Sequence, residues 1–236
     1  MSRLLVPSLA LTLLAGAPAV AGPPGPRETL HNASEVVDDF RALPAKCIPP
    51  ALLADAQAVA VIPDVIKGGF VVSGRHGRGV VLCRCEDGRW GEPTFVTLTG
   101  LGVGVQAGVE STDLVLVFRS RRGLDRVLEG KGKLTLGGDA SIAAGPLGRE
   151  AGAATDARLR AAVYSYSRTR GVFAGVSLEG AVLANDHTAN RAFREDHRPE
   201  AGKALFDLKA RLDAAAAEPP PGPRPHQLLP PVVRPE

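Results

Sequence analysis

The first regular hydrophobic pattern in the chain covers residues 28–43. Apolar side chains recur there every three or four positions, at Leu30, Ala33, Val37 and Phe40, and acidic residues lie between them. This spacing predicts an amphipathic helix with one buried face.

From residue 58 the pattern changes from helical to alternating, which is typical of strands. Strands are predicted at residues 59–62, 69–73, 80–84, 94–98, 103–109, 114–119, 133–136, 140–144, 162–168 and 172–183. Further helices are predicted at residues 49–57, 123–128 and 200–217, and from an N-cap at Asn185 or Asp186 to residue 195. Because glycine punctuates the strands, we expect an α+β fold with a strongly curved, mainly antiparallel, barrel-like sheet flanked by helices.

The N-terminus has the three-part pattern of a secretory signal. Arg3 precedes an apolar run at residues 4–14, and small residues end at Ala21. The run is about half of the roughly 20 apolar residues that cross a bilayer, so a retained anchor is the alternative. We therefore predict that residues 1–21 are a cleaved signal peptide. The protein is expected to be exported to the periplasm or the extracellular space, either in solution or associated with a membrane.

The remaining chain is divided by composition. We predict one domain at residues 28–195, a C-terminal helix within 196–217, and a disordered proline-rich tail at 218–236. The formal charge of +3 falls to +2 without Arg3, which is too small for a general nucleic-acid-binding protein.

The sequence lacks the residue patterns that catalysis and cofactor binding require. Its glycine runs are followed by strands and not by helices, so they do not form phosphate loops. There is no Gly-x-Ser-x-Gly motif and no pair of histidines with metal-ligand spacing. We expect no enzyme activity, no cofactor and no metal, and a disulfide between Cys47 and either Cys83 or Cys85.

Two groups of basic residues are candidate anion-binding sites. One flanks a predicted hairpin and the other surrounds the short helix at 123–128. The candidate lipid-binding residues are Lys67, Arg75 and Arg78 in the first group, and Arg119, Arg122 and Arg126 in the second. Near an anionic bilayer each can contribute about 1 kcal/mol. The alternative is that these charges only form solvated surfaces.

A series of ordered motifs resembles the SYLF domain family over residues 28–195. The motifs include Ala60-Val61-Ile62-Pro63, Lys67-Gly68-Gly69-Phe70, Trp90-Gly91-Glu92-Pro93, Gly137-Gly138-Asp139-Ala140-Ser141 and Gly171-Val172-Phe173-Ala174-Gly175-Val176. The resemblance implies a lipid-binding domain that occurs in endocytic and actin-patch proteins and in exported bacterial proteins.

For an exported chain, the resemblance implies non-enzymatic binding of anionic phospholipid or phosphoinositide-type head groups at a membrane surface. Actin is an unlikely partner outside the cytosol, and no nucleic-acid partner is expected. The alternatives are a structural or interaction module of the cell envelope, and a carrier that holds an apolar ligand inside the barrel. A hydrolase with an exposed reactive Ser or Cys is the most remote of them.

Overall fold

The computed structural model describes residues 22–42, 47–69, 72–103, 108–145, 161–169, 172–174 and 178–217. The helices in these residues are α1 (Pro26–Ala42), α2 (Pro50–Ala54), α3 (Leu124–Leu128), α4 (His187–Glu195) and α5 (Pro199–Ala217). The predicted signal peptide at 1–21 and the predicted tail at 218–236 lie outside the described residues. No helix in the described ranges has both the length and the apolar character needed to cross a bilayer.

The described strands form one mixed, mostly antiparallel sheet. They are β1 (Ala58–Gly69), β2 (Val72–Cys83), β3 (Thr94–Val103), β4 (Gly108–Phe118), β5 (Lys133–Thr135), β6 (Ile142–Ala144), β7 (Val163–Thr169), β8 (Val172–Ala174) and β9 (Val182–Asn185). Their order is β5-β9-β3-β2-β1-β4-β7-β6, with β8 added to β7. Only the β6–β7 pair is parallel among these ladders. The predicted α+β fold with a curled, barrel-like sheet is confirmed.

The two faces of the sheet bury two separate apolar clusters. On one face, which we call the helix face, alternate side chains of β1, β2, β4 and β7 pack against α1, α2 and α5. On the other, the inner face, the intervening side chains pack against α3 and the segments at 134–140 and 178–183. The alternation predicted for half-buried strands thus becomes burial on both sides.

A bulge at residues 63–64 interrupts the pairing of β1. Ile62 pairs with Leu114 of β4, whereas Val65 pairs with Thr112, so β1 contains one extra residue here. Ile62 and Val65 both belong to the inner cluster. The bulge therefore changes the parity of the alternation along β1.

Asp64 has a left-handed backbone conformation in this bulge, with φ 48°, which is uncommon for a residue other than glycine. Its amide N–H donates to Asp113 Oδ1 at 3.2 Å. Its carboxylate accepts from Ser111 Oγ at 3.1 Å. Burial raises the pKa of Asp113, and the hydrogen bond from the Asp64 amide opposes that shift.

The sequence misplaced some strand ends. The predicted strands at 59–62 and 69–73 left residues 63–68 as a connection, but the bulge lets β1 continue to Gly69. The predicted strand at 103–109 combines the end of β3 with the start of β4, and the predicted strand at 172–183 contains β8 and part of β9. The predicted helices agree better, and Asp186 caps α4 by accepting the Ala189 N–H at 3.0 Å.

Candidate functional site

Lys67 and Arg75 lie side by side near one end of the sheet. They are direct partners in the antiparallel β1–β2 pair, so both side chains leave the same face. The next strand presents Gly100 opposite Arg75. A β-carbon at Gly100 would lie 3.0 Å from Arg75 Cγ, so the arginine stem passes close over the glycine. Burial lowers the pKa of Arg75, but a guanidinium stays charged in proteins.

Arg78 is not part of this pair. It is three residues from Arg75 along β2, so its side chain points to the opposite face. Its Nη1 lies 3.7 Å from Asp186 Oδ2, and the Asp186 side chain is only 7% exposed. Arg78 therefore pairs with the residue that caps α4.

Arg119, Arg122 and Arg126 lie at the other end of the sheet, around α3. At about 3.3 Å per residue, the course of β4 from the partner of Lys67 to Phe118 separates the two ends by roughly 26 Å. Acidic residues accompany this second group: Arg121 Nε lies 3.0 Å from Asp125 Oδ1. The structure does not bring the six predicted residues into one cluster.

An open cleft of about 660 Å³ lies at the same end of the sheet. Its lining side chains Ile66 and His76 are adjacent in sequence to Lys67 and Arg75, so they leave the opposite face of the sheet. One row of side chains along it comes from neighbouring positions on β1, β2, β3 and β9: Ile66, His76, Thr99 and Val182. The next row contains Gly68, Gly74 and Leu101. Ile66 is 54% exposed and Leu101 is 78% exposed. Large exposed apolar side chains that share one concave surface are typical of a contact site.

The glycines give this cleft its depth. A β-carbon at Gly74 would meet no atom within 4 Å. Gly79, further along β2, differs: a β-carbon there would lie 2.3 Å from the Val61 carbonyl oxygen. Glycine thus serves two purposes on β2, an open floor near the cleft and a close backbone approach beside the bulge.

Sequence reasoning found the two cations but missed Ile66 and Leu101. Ile66 fell in the supposed connection after residue 62, so no face was assigned to it. Leu101 fell between the predicted strands at 94–98 and 103–109, so no face was assigned to it either. The pattern that could have predicted this site is a single large apolar residue between two glycines, Gly100 and Gly102, because a side chain without large neighbours along its strand tends to be exposed.

Helix α1 is part of the core. Its apolar stripe, including Leu30, Ala33 and Phe40, is buried. Its acidic residues form ion pairs: Asp38 Oδ2 accepts from Arg211 Nε at 2.6 Å, and Asp39 contacts Arg168. The apolar face of α1 is therefore covered by the sheet and by α5.

The cysteines do not pair as predicted. In the part of the chain that the structure describes, no disulfide joins Cys47, Cys83 or Cys85. Cys83 packs against the inner cluster, whereas Cys47 is close enough to Tyr166, in the helix-face cluster, to affect its pKa. The sheet separates Cys47 from Cys83, so the expectation of a bridge between these two is wrong. Within the described residues, no group of three or more His, Cys, Asp or Glu side chains is placed to hold a metal.

The fold and the cleft define a class of protein: a curled-sheet domain that presents cations and exposed apolar side chains at one end of its sheet. Comparison with known proteins gives the family. The model of the Ysc84 family, described as "Las17-binding protein actin regulator", matches residues 99–217. The chain belongs to this family, the SYLF domain family, as the motifs in its sequence predict.

Curated relatives come from vertebrates and fungi. An SH3 domain-containing YSC84-like protein 1 of Xenopus laevis is 40% identical over 181 residues, which cover 75% of this chain and 53% of the relative. An SH3 domain-containing protein of Schizosaccharomyces pombe is 45% identical over 169 residues, covering 71% and 36%. Protein YSC84 of Saccharomyces cerevisiae is 43% identical over 152 residues, covering 64% and 32%. The chain thus spans about half or less of these relatives, and no solved structure gives a significant match.

Proposed function

We propose that this domain binds anionic phospholipid, including phosphoinositide-type head groups, at a membrane surface without catalysing a reaction. The observation that carries the proposal is that two cations, Lys67 and Arg75, lie on one face at the same end of the sheet where Ile66 and Leu101 are exposed on the other face. Cations attract an anionic surface, and neighbouring apolar side chains can enter the bilayer once the domain has docked.

The energies fit reversible attachment. Each cation contributes about 1 kcal/mol near an anionic surface, and complete burial of a leucine or isoleucine contributes roughly 1.5–3 kcal/mol. Two cations and two partly exposed apolar side chains together give about 5 kcal/mol, which corresponds to a Kd of roughly 0.2 mM. The domain would therefore exchange between membrane and solution.

The proposal includes export, because residues 1–21 have the pattern of a secretory signal. The membrane would then be one that faces the periplasm or the extracellular space. Anionic phospholipid is the general form of the ligand in that setting.

The test is sedimentation of the protein with neutral and anionic vesicles at low and high salt. We expect salt-sensitive binding to anionic vesicles only. The double substitution Lys67→Gln with Arg75→Gln should weaken binding about 30-fold, since about 2 kcal/mol of attraction is lost. The matched control, Arg122→Gln with Arg126→Gln, removes the same charge at the other end of the sheet and should have a smaller effect.

Failure to bind vesicles of either charge would reject this function and favour a structural or interaction module of the cell envelope. Equal losses in the two double variants would point to overall charge and not to a local site.

An actin-related protein partner is the second candidate, because the family model carries the description of an actin regulator. It conflicts with export, since an exported chain does not meet cytosolic actin. Co-sedimentation with filamentous actin in the absence of lipid distinguishes the two: saturable binding there, with no vesicle binding, would favour the protein partner.

A further inference from the structure

His76 is an exposed histidine on the helix face, at the cleft end of the sheet. It is an even number of residues from Val80 and Leu82 of β2, which pack in the helix-face cluster, so its side chain leaves the same face. Its direct partners are Ile66 on β1 and Thr99 on β3. The imidazole is therefore in the same row as Ile66, one of the two exposed apolar side chains of the proposed docking surface.

The register places His76 at a defined depth below the tip of this surface. Leu101 is opposite Gly74, one row closer to the end of the sheet than the row of Ile66, His76 and Thr99. Two residues along a strand span about 6.6 Å, and apolar groups of interfacial segments enter a membrane by roughly 5–10 Å. When the strands stand upright and Leu101 reaches the acyl boundary, His76 therefore lies at the level of the lipid head groups.

The fixed charges of this face lie outside the row of His76. On β2, Arg78 is two residues further from the sheet end, and its Nη1 lies 3.7 Å from Asp186 of the α4 cap. On β1, Asp64 is in the bulge, where its carboxylate accepts from Ser111 of β4 at 3.1 Å and its amide binds Asp113 of β4. The positions of β3 and β9 beside His76 are uncharged: Thr97, Thr99, Leu101 and Val182. Protonation of His76 therefore adds a positive charge to a row that otherwise has none.

The cations at this end of the sheet respond differently to pH. Lys67 and Arg75 leave the inner face, and lysine and arginine keep their charge at neutral and mildly acidic pH. Histidine is the side chain whose charge ordinarily changes between about pH 5 and about pH 8. Acidification thus adds a third cation on the opposite face of the same sheet end. One more cation near an anionic surface tightens binding about fivefold.

We propose that His76 makes the membrane docking of this domain depend on pH, with attachment to anionic phospholipid strengthened when its imidazole is protonated. The inference rests on the proposed function and extends it, because the same surface becomes responsive to acidification. At high pH, Lys67 and Arg75 attract the membrane from one face of the sheet end. At low pH, cations on both faces contact the head groups while Leu101 enters the lipid between them.

The experiment is sedimentation of the whole protein with vesicles of phosphatidylcholine and phosphatidylglycerol at about pH 8 and about pH 5.5. Phosphatidylglycerol suits the test because its phosphodiester keeps its negative charge at both pH values. His76→Gln removes the titratable group and keeps a neutral polar side chain, whereas His76→Lys supplies a positive charge at both pH values. The matched control is His31→Gln, because the His31 side chain is 69% exposed and lies in the groove between α1 and α5.

We expect the parent protein and His31→Gln to bind about fivefold more tightly at the lower pH. His76→Gln should lose most of this difference and keep the parent's affinity at the higher pH. His76→Lys should bind at both pH values with the affinity that the parent shows at the lower one. This gain at the higher pH decides the question if His76→Gln does not fold, which its circular dichroism spectrum would reveal.

A pH dependence that His76→Gln retains in full would overturn the proposal and assign the effect to carboxylates such as Asp64 and Asp113. Equal binding of the parent protein at both pH values would also overturn it, and would leave the proposed surface function intact. Absence of binding at both pH values would reject the surface function together with the role of His76. Equally tight binding to vesicles of phosphatidylcholine alone at the lower pH would likewise reject both, because no anionic surface would be needed.

Discussion

Replacement of Asn190 by leucine should destabilise the domain more than any surface change on the same helix. Asn190 lies on α4 and is 7% exposed. Its Oδ1 accepts the Phe95 N–H at 2.8 Å, and its Nδ2 donates to the Phe95 carbonyl at 2.8 Å. The same Nδ2 lies 3.0 Å from Asn185 Oδ1. One side chain thus joins α4 to the start of β3 and to the end of β9.

The magnitude follows from the groups that leucine leaves behind. Phe95 is 1% exposed, so its N–H would be buried without an acceptor, at a cost of about 1–3 kcal/mol. The Phe95 carbonyl keeps the N–H of Asp186 as a donor, at 2.9 Å. Loss of the two remaining side-chain bonds costs about 1 kcal/mol each. We expect a total loss of about 3–5 kcal/mol, out of a typical stability of roughly 5–15 kcal/mol.

Urea unfolding followed by far-ultraviolet circular dichroism measures this loss. With a slope of about 2 kcal/mol per molar urea, the midpoint should fall by about 1.5–2.5 M. Arg191→Leu is the control, because Arg191 is exposed on the same helix and receives the same new side chain. A loss below 1 kcal/mol for Asn190→Leu, or an equal loss for both variants, would refute the view that this amide network fixes α4 to the sheet.

Two further predictions concern the bulge. Because burial raises the pKa of Asp113, the folded state binds more protons than the unfolded state above the ordinary value of 3.8, and stability falls as pH rises through that window. Asp113→Asn should therefore gain stability relative to the parent on going from pH 4 to pH 7 in urea titrations, and a relative loss would contradict the burial argument. Gly79→Ala should lower the thermal midpoint by several degrees, because its β-carbon would lie 2.3 Å from the Val61 carbonyl oxygen. Gly74→Ala, on the same strand with open space, should not, and equal shifts would exclude the close approach as the cause.

The sequence predicts the helices of this fold better than its strands. The stripe of α1 and the cap of α4 depend on neighbours a few residues apart, so local patterns contain the information. The course of β1 depends on β4, because Ser111 and Asp113 hold Asp64 in a conformation that no local pattern indicates. Pairing between strands that are far apart in the sequence cannot be predicted from the pattern of successive residues.

The same distinction explains the candidate site. Lys67 and Arg75 could be predicted as a local basic group, but their direct pairing depends on the register after the bulge. Arg78 belonged to the same sequence group, and strand alternation turns it towards Asp186 instead. Ile66 and Leu101 are distant in sequence, and only the order β1-β2-β3 brings both to one cleft.

A domain with basic groups at both ends of its sheet can dock on a membrane in two orientations. The two orientations bring different residues into contact with lipid. If the strands stand upright on the membrane with the cleft end down, Ile66 and Leu101 enter the lipid and α3 stays roughly 26 Å away. If the inner side lies flat, Lys67 and the arginines near α3 can contact lipid together, but the arginines approach with Asp125 beside them. The end-on orientation combines cations with exposed apolar area, whereas the flat one relies on charge that is partly neutralised within the protein. Strong attachment that depends on Leu101 and survives loss of Arg122 and Arg126 therefore requires the end-on orientation.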